Sequence, residues 1–530
     1  MSLSRRSLFK AAAGGATLAS VTSLQGCLGS IEGPFKHGVA SGDPLADRVI
    51  LWTRITSEEL TTDPLAYEWW VAADSEMKEI VLQGSGSTGP ERDYTVKLDV
   101  SGLEPNTTYY YQFAHGEWRS QIGRTKTLPM GSVEHVRLAF TSCSWYTAGY
   151  FNVYRTISEY QDIDAVLHLG DYIYEYGNDL VNPFLVNRLH SPAHHIVSLQ
   201  DYRMRHAQYK TDPDLMEAHR QHPFITIWDD HESANNSYDN GAENHEEDQG
   251  PWPVRRANAI RAYFEWMPIR ETGLDHNQDQ LVYRNFRFGD LLNLSMLDTR
   301  LVGRDKQAVP GDLITINDPT RSLLGDAQQA WLFDQMANAQ ADGVTWKVLG
   351  QQVMMAQLAA GYVSLNMDQW DGYPVARQQL FDFIKSEGID NFCVLTGDIH
   401  SSWANDIQED PFTNTEILGV EFVTPGVTSP SIPVKPVSDR LSAELVKNMP
   451  HMHHVDFFHK GHVLLDITKD HIQGEWYYAE SVNKTADSFF AKAYRANVSG
   501  GGLSEVAEPS LGKSAAAFAP MRLKTQLYRG

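Results

Sequence analysis

Five short apolar runs between residues 136 and 400 each end on side chains able to hold a metal or move a proton. VRLAFTSC ends on Cys143, DAVLHLGDYIY on Asp171 and Tyr174, and FITIWDDHE on Asp230 and His231. GQQ, closing TWKVLGQQ, carries Gln351 and Gln352, and NFCVLTGDIH ends on Asp398 and His400. Segments of helical period such as NVYRTISEYQ fall between these runs, so residues 135–482 read as an α/β domain in which the runs are strands. Open α/β sheets bind ligands beyond the carboxyl ends of their strands. A lone Asp or His after a strand is usually a cap or a turn residue. Five such ends in one order amount to an inventory of thiolate, carboxylate, phenolate and imidazole.

Ahead of that domain, residues 33–130 carry RVILWTRI, YEWWVAAD, TVKLDVSGL, TYYYQFAHG and SQIGRTKTL, separated by Gly, Pro and Asn clusters. Regular short strands with turn signals predict a fibronectin- or immunoglobulin-like β-sandwich, with Tyr109 braced against the turn that opens at Leu103. Residues 483–530 read as a C-terminal helix and tail, with Phe489, Phe490 and Tyr494 on one helical stretch.

The chain has 530 residues, a hydrophobic fraction of 42% and 11% aromatics, enough to bury a sizeable core. Its formal charge of −23 argues against a nucleic-acid-binding surface or an anionic membrane as partner. An anionic substrate then needs local positive charge, which bound metal supplies. Three cysteines exclude a disulfide framework. Residues 1–26 look different from the rest: Arg5, Arg6 and Lys10 precede a mild apolar run without an acid, the layout of a twin-arginine export signal. Leu24-Gln25-Gly26-Cys27 resembles a lipobox, making Cys27 a candidate lipid anchor. The expected location is the periplasm or cell surface, with the Tat translocase as partner during export.

FKHGVASGDPLADRVILWTRI, LGDYIYEYG, TIWDDHE, LDTR and TGDIHSSW together resemble the PhoD-like alkaline phosphatases and phosphodiesterases, a branch of the calcineurin-like metallophosphoesterases. The resemblance implies a four-layer core of two β-sheets flanked by helices. It implies Fe3+ held by Cys143, Asp171, Tyr174 and His400, and Ca2+ offered oxygens by Asp171, Asp230 and Asp398. Thiolate and phenolate suit iron, and carboxylates suit calcium. Asp230 stands where the wider superfamily has an asparagine. Gln352 and Asn235 are outer candidates.

The resemblance implies that water held on such cations loses its proton near neutral or mildly alkaline pH and attacks phosphorus in line as a metal-bound hydroxide, expelling the alcohol, so that inorganic phosphate is released from monoesters in one cleavage and from diesters in two. His231 is the candidate for protonating the leaving group. Arg300 and Arg203 are candidate phosphate clamps, with structural ion pairing as the competing role. Two other readings stay open: a phospholipase D or phosphodiesterase acting on lipid or polymer diesters, and a surface binding module whose metal site is structural. Cys393 reads as core. His451, His453, His454, His459 and His462, with His194 and His195, read as packing or surface histidines, and the acid-rich 240–250 loop as solvated surface.

Overall fold

The computed structural model describes residues 33–57, 62–178, 188–360, 363–498 and 500–520. The expected export signal and Cys27 lie outside them. Two large mixed sheets carry the fold. The first has ten strands, and at its centre His135–Thr141, Ala165–Leu169, Pro223–Ile227 and Val39–Gly42 run parallel. The second has seven, with Leu292–Met296, Trp346–Gly350, Phe392–Thr396 and Asn414–Val423 parallel.

The period of two along each strand decides what packs where. Cys393 and Leu395 face the core shared with Leu138, Phe140, Leu167 and Ile225 of the ten-stranded sheet. Their neighbours Phe392 and Val394 face Leu332 and Met336 of the helix Gly325–Ala341, and Leu380, Phe381 and Ile384 of the helix Pro374–Ser386. Each such side chain contributes about 1.5–3 kcal/mol when fully buried, so a one-residue slip of the strand would expose a whole face. Helices Asn152–Ser158, Leu199–Tyr209, Pro213–Gln221 and Trp252–Trp266 pack against the ten-stranded sheet. Among the described residues no helix is long and apolar enough to cross a membrane.

Two expectations are corrected. Residues 33–130 pack two sheets around an apolar cluster of their own, but one of those sheets is continuous with the core and not separate from it. Val39–Gly42, Arg48–Arg54 and Thr95–Ser101 extend the ten-stranded sheet, entering it where Ser41 and Gly42 pair in parallel with Pro223 and Phe224. The strand Pro223–Ile227 would otherwise expose an unpaired edge. Leu65–Ala72, Ile80–Thr88, Thr108–His115, Trp118–Arg119 and Gly123–Lys126 form a further sheet, sharing an apolar cluster with the extension through Val71, Tyr111 and Phe113. The Tyr109 hydroxyl accepts a hydrogen bond from the Glu104 amide at 3.0 Å, bracing that turn.

The second correction concerns residues 483–530, where Ser488–Asn497 is a strand, not a helix. Phe489, Phe490 and Tyr494 pair with Tyr478, Tyr477 and Gly474 of His471–Ala479, so a long-range ladder overrides a helical spacing. Beyond it the chain runs back as a strap, with Lys513 on Asp164 and the Ala519 amide bonded to Gln221 at 3.0 Å.

Burial holds His37, His168, His206, His222 and His462 down to about 3. The unfolded chain then binds protons below about 6.5 that the native chain refuses, so each histidine subtracts up to about 1.4 kcal/mol per pH unit below that point. Lys210, drawn down to about 7 by burial, acts in the same direction between its unfolded value and 7. Asp171, Asp214 and Glu232, whose values burial raises, act in the opposite direction, so the test is a difference between chains: on acidification from pH 6.5 to pH 5 the urea midpoint of a His222→Gln variant should fall less than that of wild type. A His222→Gln midpoint that falls as steeply as that of wild type would contradict the burial of that neutral ring.

Candidate metal centre

The carboxyl ends of both parallel sets meet. The Cys143 amide bonds the Gly170 carbonyl at 3.1 Å, the Gly397 amide bonds the Gln352 carbonyl at 3.0 Å, and Gln352 Nε2 crosses between the sheets to the Trp228 carbonyl at 2.7 Å. At this seam Cys143, Asp171, Asp398 and His400 all adopt left-handed backbone, with φ of 59, 55, 57 and 58°. For residues other than glycine that geometry costs on the order of 1 kcal/mol each, and it aims the side chains off the strand ends into a common space. Gly170, at φ 97°, is required: a Cβ there would lie 2.4 Å from Asp229 Cβ.

Three donor sets result, each with its ligand atoms within 4.8 Å of one another: Cys143 with Asp171 and His400, Asp171 with Asp230 and His231, and Asp229 with Asp230 and Asp398. All six carboxylate, thiol and imidazole groups other than His400 are essentially inaccessible to water. Tyr174 joins the first set: its hydroxyl donates to Asp171 Oδ2 at 2.7 Å, lies 3.2 Å from His400 Nε2, and accepts from Ser429 Oγ at 2.5 Å. Trp145 stacks on the Tyr174 ring with centroids 5.1 Å apart.

Burial, and then the neighbouring Asp171 charge, push the Cys143 thiol and the Tyr174 phenol well above their ordinary ranges. Burial raises Asp171 to about 6 and drives Asp229 up as well. So many acids resist ionisation together unless a cation joins them, and the mixed sulfur, nitrogen and oxygen set on Cys143, Asp171 and His400 has the donor chemistry of a transition-metal site. Metal binding there would displace the Cys143 proton.

His231 sits apart in function from these donors. Its Nδ1 lies 2.6 Å from Glu175 Oε2, and Glu175 Oε1 accepts the Asn235 amide at 2.8 Å. Burial opposes a charge on His231, yet the Glu175, Asp171 and Asp230 carboxylates raise its pKa well above the ordinary value. Glu175 escaped the sequence reading although it directly follows Tyr174. So did Glu232, whose carboxylate accepts the amides of Asp171 at 3.0 Å and Asp229 at 2.7 Å, and that of Tyr172. Burial pushes Glu232 up to about 8.

Of the two roles open for the candidate clamps, both arginines take up ion pairing. Arg203 forms a two-point pair with Glu265, 2.6 Å on each arm, tying the helix Leu199–Tyr209 to Trp252–Trp266. Arg300 has no exposed side-chain surface, and its guanidinium is committed to Asp229, Asp368 and Asp398. Gln352 spends its amide on Thr299, Trp228 and Leu297, which leaves it a brace between strand ends. Asn235 bonds Glu243 through Nδ2 at 3.1 Å. His453 pairs with Asp406 and His459 with Asp456, both at 2.8 Å, His451 bonds the Gln357 carbonyl, and His462 bonds Tyr160, consistent with packing histidines.

Two family models match the chain: the PhoD-like phosphatase model over residues 138–476, and the PhoD-like phosphatase N-terminal domain model over residues 27–129. Alkaline phosphatase D of Bacillus subtilis strain 168 is 39% identical over 455 residues, an alignment covering 82% of this chain and 76% of the relative. A solved structure of PhoD superposes with a TM-score of 0.83 at 34% identity, covering 90% of this chain and 93% of that one.

Glu232 offers a test of how the seam is held. Glu232→Ala leaves several buried amides without an acceptor, and each such loss costs about 1–3 kcal/mol. The variant should lose about 3 kcal/mol or more in denaturant unfolding, whereas the exposed Glu247→Ala should stay within about 0.5 kcal/mol of wild type.

Proposed function

Since this chain belongs to the PhoD-like phosphatase family and is an enzyme of that kind, we propose that it is a metal-dependent phosphoesterase acting on phosphate mono- and diesters. Its core is then the four-layer metallophosphoesterase arrangement. Cys143, Asp171, Tyr174 and His400 would hold iron, and Asp171 and Asp230 would offer oxygens to calcium beside it. The observation that carries this reading is the convergence of a thiol, a carboxylate and an imidazole within 4.8 Å at strand ends. Bound metal would supply an acidified water and neutralise charge on the phosphoryl oxygens.

The protein's own residues do the rest. Asp171 belongs both to the set with Cys143 and His400 and to the set with Asp230 and His231, so it would be the carboxylate common to two cations held there. Glu175 fixes His231 through Nδ1, which leaves Nε2 as the working nitrogen, and the surrounding carboxylates favour the protonated ring. His231 can then deliver a proton to the departing ester oxygen. Trp145 and Tyr174, both buried, would shield the cysteine side of the site from bulk water.

Assays on a nitrophenyl monoester and a bis-nitrophenyl diester test this directly. Chelation should abolish both activities, and added Ca2+ should restore them. Cys143→Ser should lose iron and activity together, while Cys393→Ser, a change inside the core, should keep near-normal rates. His231→Asn should slow turnover by about 100-fold or more, and Glu175→Gln by about 10-fold. Full activity of Cys143→Ser with unchanged iron would remove the thiolate ligand from the proposal.

The Arg5, Arg6 and Lys10 cluster ahead of a mild apolar run supports export by the twin-arginine route to the periplasm or cell surface. Cell fractionation should find an Arg5→Lys, Arg6→Lys double variant retained in the cytoplasm, and undiminished export would overturn this placement.

A further inference from the structure

Asp229, Asp230 and Asp398 bring oxygens within 4.8 Å of one another, a spacing that on its own would suit a divalent ion. An arginine is already there. Arg300 Nε bonds Asp229 Oδ1, Nη2 bonds Asp398 Oδ1 at 2.9 Å, and Nη2 lies 3.7 Å from Asp230 Oδ1. The remaining arm, Nη1, meets both oxygens of Asp368 at 2.8 and 2.9 Å. Arg304 Nη2 reaches Asp368 Oδ1 at 2.7 Å, and Gln369 Nε2 donates to the other oxygen of Asp398 at 2.6 Å.

We propose that the Arg300 guanidinium is the permanent cation of the Asp229–Asp230–Asp398 corner and takes the place of a metal ion there. The charges of the seam then divide into two accounts. Arg300 and Arg304 answer Asp229, Asp368 and Asp398. Metal is confined to the sets built on Cys143, Asp171, His400 and Asp230. This departs from the ligand set implied by family resemblance, because Asp398 serves the arginine and not the calcium.

The physical case is that a planar guanidinium stays charged at any working pH and presents several donors in fixed directions, so it can satisfy carboxylates from three chain segments at once. A calcium ion with few protein ligands would exchange with solvent. Arg300 therefore keeps the carboxylates in position whether or not metal is present. Asp229 Oδ2 is buried without a hydrogen-bond partner, so truncating Arg300 leaves Asp229 without its counterion and opens the corner to a divalent ion.

The inference rests on the metal-site reading above, but its test counts ions and not turnover. Chelator-treated protein is titrated with Ca2+ by calorimetry, with folding checked by circular dichroism. Arg300→Met should bind one Ca2+ per chain more than wild type, and Arg300→Lys, which keeps the charge, should match wild type. If Arg300→Met does not fold, Asp229→Asn and Asp398→Asn in the Arg300 background decide the question. Both should leave the Ca2+ count unchanged, because neither residue holds metal while Arg300 is present. A folded Arg300→Met with the wild-type count, or the loss of one ion in Asp229→Asn or Asp398→Asn, would overturn the proposal. A phosphatase that fails the earlier assays while these counts hold would instead overturn the functional reading.

Discussion

Gathering Asp171, Asp229, Asp230, Asp368, Asp398 and Cys143 in a space nearly closed to water creates a demand for positive charge that the rest of the fold has to meet. Uncompensated, such groups give up their charge, and the upward shifts of Asp171, Asp229 and Cys143 follow that direction. Two arginines answer part of the demand from within. The Cys143, Asp171 and His400 side of the seam has Lys460 nearby, but its amine is spent on the His400 and Pro425 carbonyls. That imbalance is the physical reason for placing metal on the cysteine side and arginine on the other.

The scaffold makes this crowding possible by using strand ends and not helices. Two parallel sets deliver their carboxyl ends to one seam, and short left-handed excursions at Cys143, Asp171, Asp398 and His400 turn side chains inward. Such excursions persist only where the surroundings fix them. Glu232 does so for the Asp171 loop by collecting its amides, and Gln352 does so between the sheets. Neither residue needs to touch a substrate for the site to depend on it.

The ends of the apolar runs were legible in the sequence because strand periodicity and a polar terminus are local signals: Cys143, Asp171, Tyr174, Asp230, His231, Asp398 and His400 all meet at the seam. Partnerships were not. Arg300 carries no local mark separating a phosphate clamp from a buried counterion, since the distinction lies in Asp229, Asp368 and Asp398, 71, 68 and 98 residues away. Asp368 sits in NMDQWDG, outside any regular strand or helix that would flag it. Arg203 is open between the same two roles in the sequence, and its pairing with Glu265, 62 residues away, is what marks it as an ion-pair partner. The aromatic spacing of Phe489, Phe490 and Tyr494 fits a helix turn, and only its non-local pairing with His471–Ala479 makes it a strand. Likewise the local turn pattern of residues 33–130 is silent on the parallel contact that merges part of it with the large sheet.

Anomalous diffraction from crystals of the active enzyme tests the central claim most directly. The account predicts a metal peak within bonding distance of Cys143 Sγ, the Asp171 carboxylate and His400, with the Asp229–Asp398 side filled by the Arg300 guanidinium and carrying no peak. Crystals that hydrolyse a phosphate ester but show no metal beside Cys143 would contradict it.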